Sequence, residues 1–342
     1  MKHLKPIFKA TLLLMSAMIA TNAAAYDFYE GGIYYSIIDW GIVEVVPPPS
    51  GNYSGDIVIP STVTAEVSQY YETYQETFTV TGIDDFAFNG AYLSSITLPN
   101  TIDYIGDYAF YNCCDLQEFI FPNSVYRIGE YAFGYCTGLT SIVIPNSVYD
   151  IGWNAFYCCT GLTNVQISSS VNALGGTFFG CTSLTSVEIP ASVELLEATF
   201  KNCSNLTSVL IPSSLQELSD NTFYGCDKLT TITCEAVNPP YTNDLQSFPE
   251  SVYNLAKLFV PESSKTSYAN AYMWKQFVNI FGIGEEVIHG DIDGDGRVSI
   301  ADLANLIDLL LAGDSSNPDA DVDGDGSMTI ADVAALIDIL LS

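Results

Sequence analysis

Histidine is almost missing from this chain: the 342 residues hold two, His3 and His289. The first is expected to be lost. Lys2, Lys5 and Lys9 precede an apolar run from Ala10 to Ala20, and Ala23-Ala24-Ala25 then offers small residues for cleavage, so residues 1–25 read as a secretory leader and the mature chain begins at Tyr26. With one histidine left, in a stretch that looks like a linker, Ser-His-Asp or Cys-His catalysis lacks its general base and His-rich zinc sites are excluded. Basic residues are scarce too, at 10 Lys and Arg against 40 Asp and Glu. The formal charge of −30 becomes −33 once the leader's three lysines are gone, and such a chain repels nucleic acid and anionic membranes. No later stretch approaches the roughly 18 apolar residues of a membrane span, and no cysteine follows the cleavage site to carry a lipid. Disorder is excluded in turn, because 48% apolar and 13% aromatic residues are far more than a coreless chain carries.

What is present is a repeat. Phe88, Phe110, Phe133, Phe156, Phe178, Phe200 and Phe223 follow one another at steps of 22 or 23 residues. Three residues behind each comes Ala91, Cys113, Cys136, Cys159, Cys181, Cys203 or Cys226, and three further on, from the second copy, Leu116, Leu139, Leu162, Leu184, Leu206 and Leu229. One rung of this length has no core of its own, so the copies must stack into a solenoid that buries the same positions against each neighbour. The segments 95–98, 118–121, 141–144, 164–167, 186–189 and 208–211 alternate like strands and are expected to pair in parallel as one sheet, most of them stopped by a proline. The stretch from Val125 to Phe133 and its equivalents reads as turns with irregular or short helical structure.

These residues carry a resemblance. The order apolar strand, IP, V, IG, AF, C and L over roughly Gly82 to Cys234 is similar to the leucine-rich repeats of BspA-like bacterial surface proteins. Departures are mild: Ser168 stands for the proline, and Thr177, Thr199 and Thr222 stand for the alanine before Phe. Open solenoid ends expose apolar rungs and strand edges, so residues 26–81 are expected to form an N-terminal β cap, 82–234 the solenoid and 235–284 a C-terminal cap.

Six of the nine cysteines share the buried phase of the repeat, which suits a small apolar filler and favours a ladder of free thiols. Rungs about 4.8 Å apart would also let neighbouring thiols pair as disulfides. On the other strand face lie Thr97, Ile120, Val143, Gln166, Glu188, Leu210 and Thr233, free of core duty. Either this is an ordinary strand surface, or Ile120, Val143 and Leu210 belong to a partner-binding patch. The recurrent turn-side tyrosines, among them Tyr108, Tyr126, Tyr131 and Tyr149, either pack rung to rung or stack on sugars, and packing is the expectation.

From Gly290 to Ser342 the chain has twelve Asp, no Glu and one basic residue, Arg297. Asp291, Asp293, Asp295, the Arg297 carbonyl, Ser299 and Asp302 occupy the ligand positions of a twelve-residue calcium loop, with Gly296 at its turn. Thirty residues later Asp321, Asp323, Asp325, the Ser327 carbonyl, Thr329 and Asp332 repeat the pattern, so two calcium ions are expected. Each loop should lead into one helix, with Leu303, Leu306 and Leu310 on one face and Val333, Leu336 and Leu340 in the duplicate. Loop then helix, without the preceding helix of an EF-hand, resembles a type I dockerin. That resemblance implies docking to a cohesin domain on a scaffold or surface protein, often in polysaccharide-degrading assemblies. It also implies that partner choice rests on loop positions 10 and 11: Ile300 and Ala301, Ile330 and Ala331. Many dockerins have a Lys-Arg pair on the helix where this chain has Ile307-Asp308 and Ile337-Asp338.

The expectation is therefore a secreted, surface-associated or released binding protein. Its mostly β solenoid would meet a protein or glycan, a linker at 285–289 would follow, and a small α-helical calcium module at 290–342 would dock it. The rivals are a glycan-hydrolysing subunit, for which no pair of carboxylates suggests itself, and a tail that is only a structural calcium clip.

Overall fold

A computed structural model describes residues 26–69, 72–219, 221–242, 246–285, 290–292, 297–313, 317–324 and 326–341. The expected leader and most of the expected linker lie outside these residues. Within them, each repeat makes one coil of a stack whose core is a column of rings. Phe88, Phe110, Phe133, Phe156, Phe178, Phe200, Phe223 and Phe248 lie 5.0 to 5.8 Å apart, centroid to centroid, and within 12° of parallel. The last ring extends the repeat column into the C-terminal cap, at a spacing the periodicity does not show.

Two backbone reversals per rung close the coil. The residue two before each ring, from Phe86 through Tyr108, Tyr131, Asn154, Gly176 and Ala198 to Asn221, has φ between 50° and 62°. The residue two after it, from Gly90 through Asn112, Tyr135, Cys158, Gly180 and Asn202 to Gly225, has φ between 54° and 80°. The glycine of the IG pair has another duty: a Cβ at Gly106, Gly129 or Gly152 would meet the backbone of the preceding rung at 2.6 Å or less. Thr199 and Thr222, in place of alanine, leave the turn unchanged because their hydroxyls donate to carbonyls, Leu174 for the first and Ser219 and Leu196 for the second. Ser168, in place of proline, likewise donates to the Val148 carbonyl.

The sheet differs from expectation in two ways. The outward-facing ladder is divided: Ser54–Val58 pairs with Tyr92–Thr97, Ser141–Val143 with Asn164–Gln166, and Ser186–Glu188 with Ser208–Ile211 and Thr231–Cys234. The segment 118–121 makes no ladder. There Phe119 and Phe121 replace the smaller inward residues of other rungs and wedge edge-on against Phe133, so the rung is held by rings instead. The second difference is that the stretch read as irregular or helical holds no helix. It carries a second set of short parallel strands, Tyr104–Ile105 with Arg127–Ile128 and Asp150–Ile151, and Ala173–Gly175 with Leu195–Glu197 and Glu217–Ser219. Two or three residues per strand are too few to leave a periodic trace.

Both ends are covered. Two antiparallel pairs, Ile33–Asp39 with Ile42–Val46 and Thr62–Gln69 with Glu72–Ile83, joined in parallel through Ile42–Val46 and Glu72–Ile83, shield the first coil, while Lys257–Val260 and Asn279–Gly282 extend the last sheet in parallel. Two short helices, Glu250–Leu255 and Lys265–Asn270, accompany the latter strands. Trp274 and Tyr268 are buried in this cap.

Candidate functional site

In the tail, helices run over Ile300–Ala312 and Ile330–Leu341 and pack through Leu306 and Leu336, with Ile292 and Ala320 completing a small core. Leu303, Leu310, Val333 and Leu340 join it as partly buried residues. The start of each helix is fixed reciprocally. Ser299 Oγ accepts from the Ala301 amide at 3.0 Å while Asp302 Oδ2 accepts from the Ser299 amide at 2.7 Å. Thr329 Oγ1 accepts from Ala331 at 3.1 Å and Asp332 Oδ2 from Thr329 at 2.6 Å. This capping box leaves the other oxygen of each aspartate facing its loop, where Asp302 accepts from Ile292 at 2.7 Å and Asp332 from Asp323 at 3.2 Å. Position 12 thus ties loop to helix, a role that calcium-ligand spacing alone does not reveal.

Asp302 and Asp332 are fully buried. Burial pushes the Asp332 carboxyl up, yet the amides of Thr329, Asp323, Val322 and its own residue outweigh it and hold the group below the usual range. Asp321, Asp323 and Asp332 bring carboxylate oxygens within 4.8 Å of one another. Asp321 Oδ2 accepts from the Gly326 amide, whereas its Oδ1 is buried with no hydrogen-bond partner among the described residues. An enclosed anionic oxygen without a donor, beside two further carboxylates, fits a hard divalent cation. In the first loop Asp291 is half-buried and Arg297 exposed. Asp293, Asp295 and Asp325 lie outside the described residues.

Ile300 and Ile330 are 78% and 79% exposed, and Ala301 and Ala331 are exposed beside them. Each helix continues the same apolar row about two and three turns later at equivalent places, Ile307 and Leu311 in the first and Ile337 and Leu341 in the second, all exposed. The signal that finds them is the thirty-residue duplication read at exposed rather than buried phases.

On the solenoid, Ile120 and Val143 are exposed on the outward strand face, and Leu210 is half-buried between Glu188 and Thr233 in register. At the turn edge, Tyr108 stacks on Tyr131 at 5.1 Å and Tyr126 on Tyr149 at 5.6 Å. Those ring faces are covered by one another, as rung-to-rung packing requires.

The stacked coils and the duplicated loop-helix tail define a leucine-rich-repeat protein with an appended calcium-loop module. The BspA type leucine rich repeat region matches residues 70–180 and 176–281 in six copies, and the dockerin type I domain matches residues 289–341. Because the repeat match spans more than half of the chain, the protein belongs to the BspA-type leucine-rich-repeat family. No curated protein matches the sequence. Among solved structures, a leucine-rich repeat protein from Bacteroides ovatus is 24% identical, with 75% of this chain and 76% of that one covered and a TM-score of 0.46. The leucine-rich repeat protein of T. pallidum is 21% identical over 70% and 94% of the two chains, with a TM-score of 0.42. A leucine rich cell surface protein from Faecalibacterium prausnitzii is 19% identical over 78% and 97%, with a TM-score of 0.35. Among the described residues, no helix is long and apolar enough to cross a membrane.

Proposed function

We propose that the mature chain is an exported, non-catalytic binding protein. Its solenoid presents the recognition surface, and its calcium-loaded tail docks to a cohesin-type domain on a scaffold or cell-surface partner. The observation that carries this reading is the coincidence, on the second loop-helix unit, of a carboxylate cage with an exposed apolar row that the first helix repeats. Two calcium ions, held by the ligand sets named from the sequence, would neutralise the cages and fix the helices that display Ile300, Ile307 and Leu311, and Ile330, Ile337 and Leu341. A calcium clip with no partner has no use for those rows. Apolar contact is favoured over a charged one because Ile307 and Ile337 occupy the places where the family has a basic residue. The test is titration of the full mature chain against purified cohesin domains in calcium and in excess chelator. Binding in calcium alone supports docking, and equal binding in chelator removes it.

A further inference from the structure

Most outward aromatic rings of the solenoid are already engaged. Tyr135 is edge-on to Tyr111 and Tyr157, Tyr149 stacks on Tyr126, and the Lys201 ammonium lies 5.5 Å from the centre of the Tyr224 ring. Tyr241 and Tyr272 differ. They are 63% and 54% exposed, and neither has an aromatic or cationic neighbour among the described residues. Both line one cleft of about 510 Å³ in the C-terminal cap, together with Pro239, Pro240 and Trp274. That volume falls in the roughly 300–1,000 Å³ range of small-molecule sites.

The walls are held in place before any ligand arrives. The Tyr241 amide donates to the Gln216 carbonyl at 2.8 Å, and its own carbonyl accepts from Leu218 at 2.9 Å. Trp274 is buried, with its indole N–H donated to the Pro240 carbonyl at 3.0 Å. Tyr272 follows the Lys265–Asn270 helix, whose end is closed by the Ala271 amide on the Tyr268 carbonyl. Two open tyrosine faces therefore stand over a rigid floor, which lowers the ordering cost of binding.

We propose that this cleft binds a neutral oligosaccharide, with pyranose faces lying on Tyr241 and Tyr272. The proposal rests on the reading of the solenoid as the recognition part of the chain, and names the chemistry it recognises. Charge selects the class: none of the described lining residues is charged, in a chain of net charge −30, so an anion meets repulsion and a cation finds no partner among them. Shape and donors select within it. A proline-rich peptide also suits aromatic walls, but it brings carbonyl acceptors and needs donors from the groove. The one side-chain N–H among the described lining residues, the Trp274 indole, is already used inside the cap, which leaves only hydroxyls as side-chain donors. A sugar brings its own hydroxyl donors and needs chiefly flat apolar faces, which the two tyrosines supply.

The test titrates the full mature chain, calcium-loaded, by calorimetry with cellohexaose, xylohexaose, mannohexaose and maltohexaose, with decaproline as the peptide control. At least one hexasaccharide binds, and the double variant Tyr241→Ala/Tyr272→Ala binds it at least about tenfold more weakly, while Tyr241→Phe/Tyr272→Phe, which keeps both faces, stays within about twofold. Both variants retain the native circular dichroism spectrum. Sugar affinity persists in excess chelator, whereas cohesin binding is lost, so failure of the cleft and failure of the docking tail read out separately. A cleaved ligand whose binding still needs both tyrosines supports the cleft while overturning the non-catalytic reading. The proposal is overturned if no hexasaccharide binds, if the double alanine variant binds as well as the parent, or if decaproline binds through the same tyrosines.

Discussion

Each ladder cysteine is more than a filler. Its thiol donates to the carbonyl of the phenylalanine one rung earlier, from Cys113 on Phe88 at 3.1 Å to Cys226 on Phe200 at 3.1 Å. Ala91 holds the same position in the first rung and has no such donor to offer. Burial pushes the thiols of Cys136, Cys181 and Cys203 well above the ordinary range and that of Cys226 up to about 12, so they resist oxidation and alkylation in the folded chain. Mass counting after native alkylation is expected to find Cys114 modified first and Cys158 more slowly, with the other seven modified only in denaturant. Rapid native labelling of the ladder would contradict the packing. The cysteine phase was legible in the sequence, but the bond was not, because a thiol-to-carbonyl contact between rungs has no signature in residue type alone.

The left-handed positions offer a second residue-scale expectation. Ala198 holds φ 50° at a phase where Asn154, Gly176 and Asn221 stand in three other copies. Ala198→Gly removes a Cβ from a conformation that disfavours it, and is expected to stabilise the chain by about 1 kcal/mol, measured by urea unfolding. An unchanged midpoint would mean that the turn is not strained. Glu44 supplies a pH dependence. Burial, and then the charges of Asp84 and Asp85, raise its carboxyl from the ordinary 4.5 to about 7. The fold thus favours the protonated form: this contribution to stability is complete below about 4.5 and is lost as pH rises through about 7. In saturating calcium the melting temperature of the parent is expected to fall between pH 5 and pH 8 more than that of Glu44→Gln.

At the scale of elements, the tail is where local pattern and energetics separate. Its helices and the carboxylates of Asp321, Asp323 and Asp332 that meet in the second loop can be read from the duplication, but the small core around Leu306 and Leu336 offers little to offset ordering without metal. Circular dichroism of residues 286–342 under calcium titration is expected to show helix appearing with the ion, and a spectrum equally helical in chelator would remove that coupling. The solenoid tells the opposite story. Long periodic columns announced the stack, while the divided outer sheet and the short strands of the second one depend on how ring volume in one rung meets its neighbour. Ile120 and Val143, exposed on the sheet face, lie outside that core. Replacing both and Leu210 by serine is expected to change stability by no more than about 2 kcal/mol while weakening capture by the solenoid's partner. Unaltered capture by the folded variant would leave the face as plain strand surface.

Over the whole molecule, the C-terminal cap and the tail are joined by an ion pair that separate reading of the two segments does not reveal. Lys257 Nζ lies 2.9 Å from Asp319 Oδ1, with side chains 19% and 13% exposed. Asp319 is two residues before Asp321 of the second loop. Lys257→Ala leaves a mostly enclosed carboxylate unpaired, and is expected to weaken apparent calcium affinity by an amount up to about 2 kcal/mol, read from the midpoint of a calcium titration. An identical midpoint would show that cap and loop are energetically separate.

The two left-handed turns recur at one phase in all seven copies, and the thiol bond in the last six reaches only the copy before. In terms of inheritance, one rung is a cassette. A gene segment encoding 22 or 23 residues can be duplicated or lost by unequal recombination, and both new junctions still meet a matching partner. The length of the displayed surface can then drift between lineages while the caps, the cleft of Tyr241 and Tyr272 and the calcium tail are passed on unchanged.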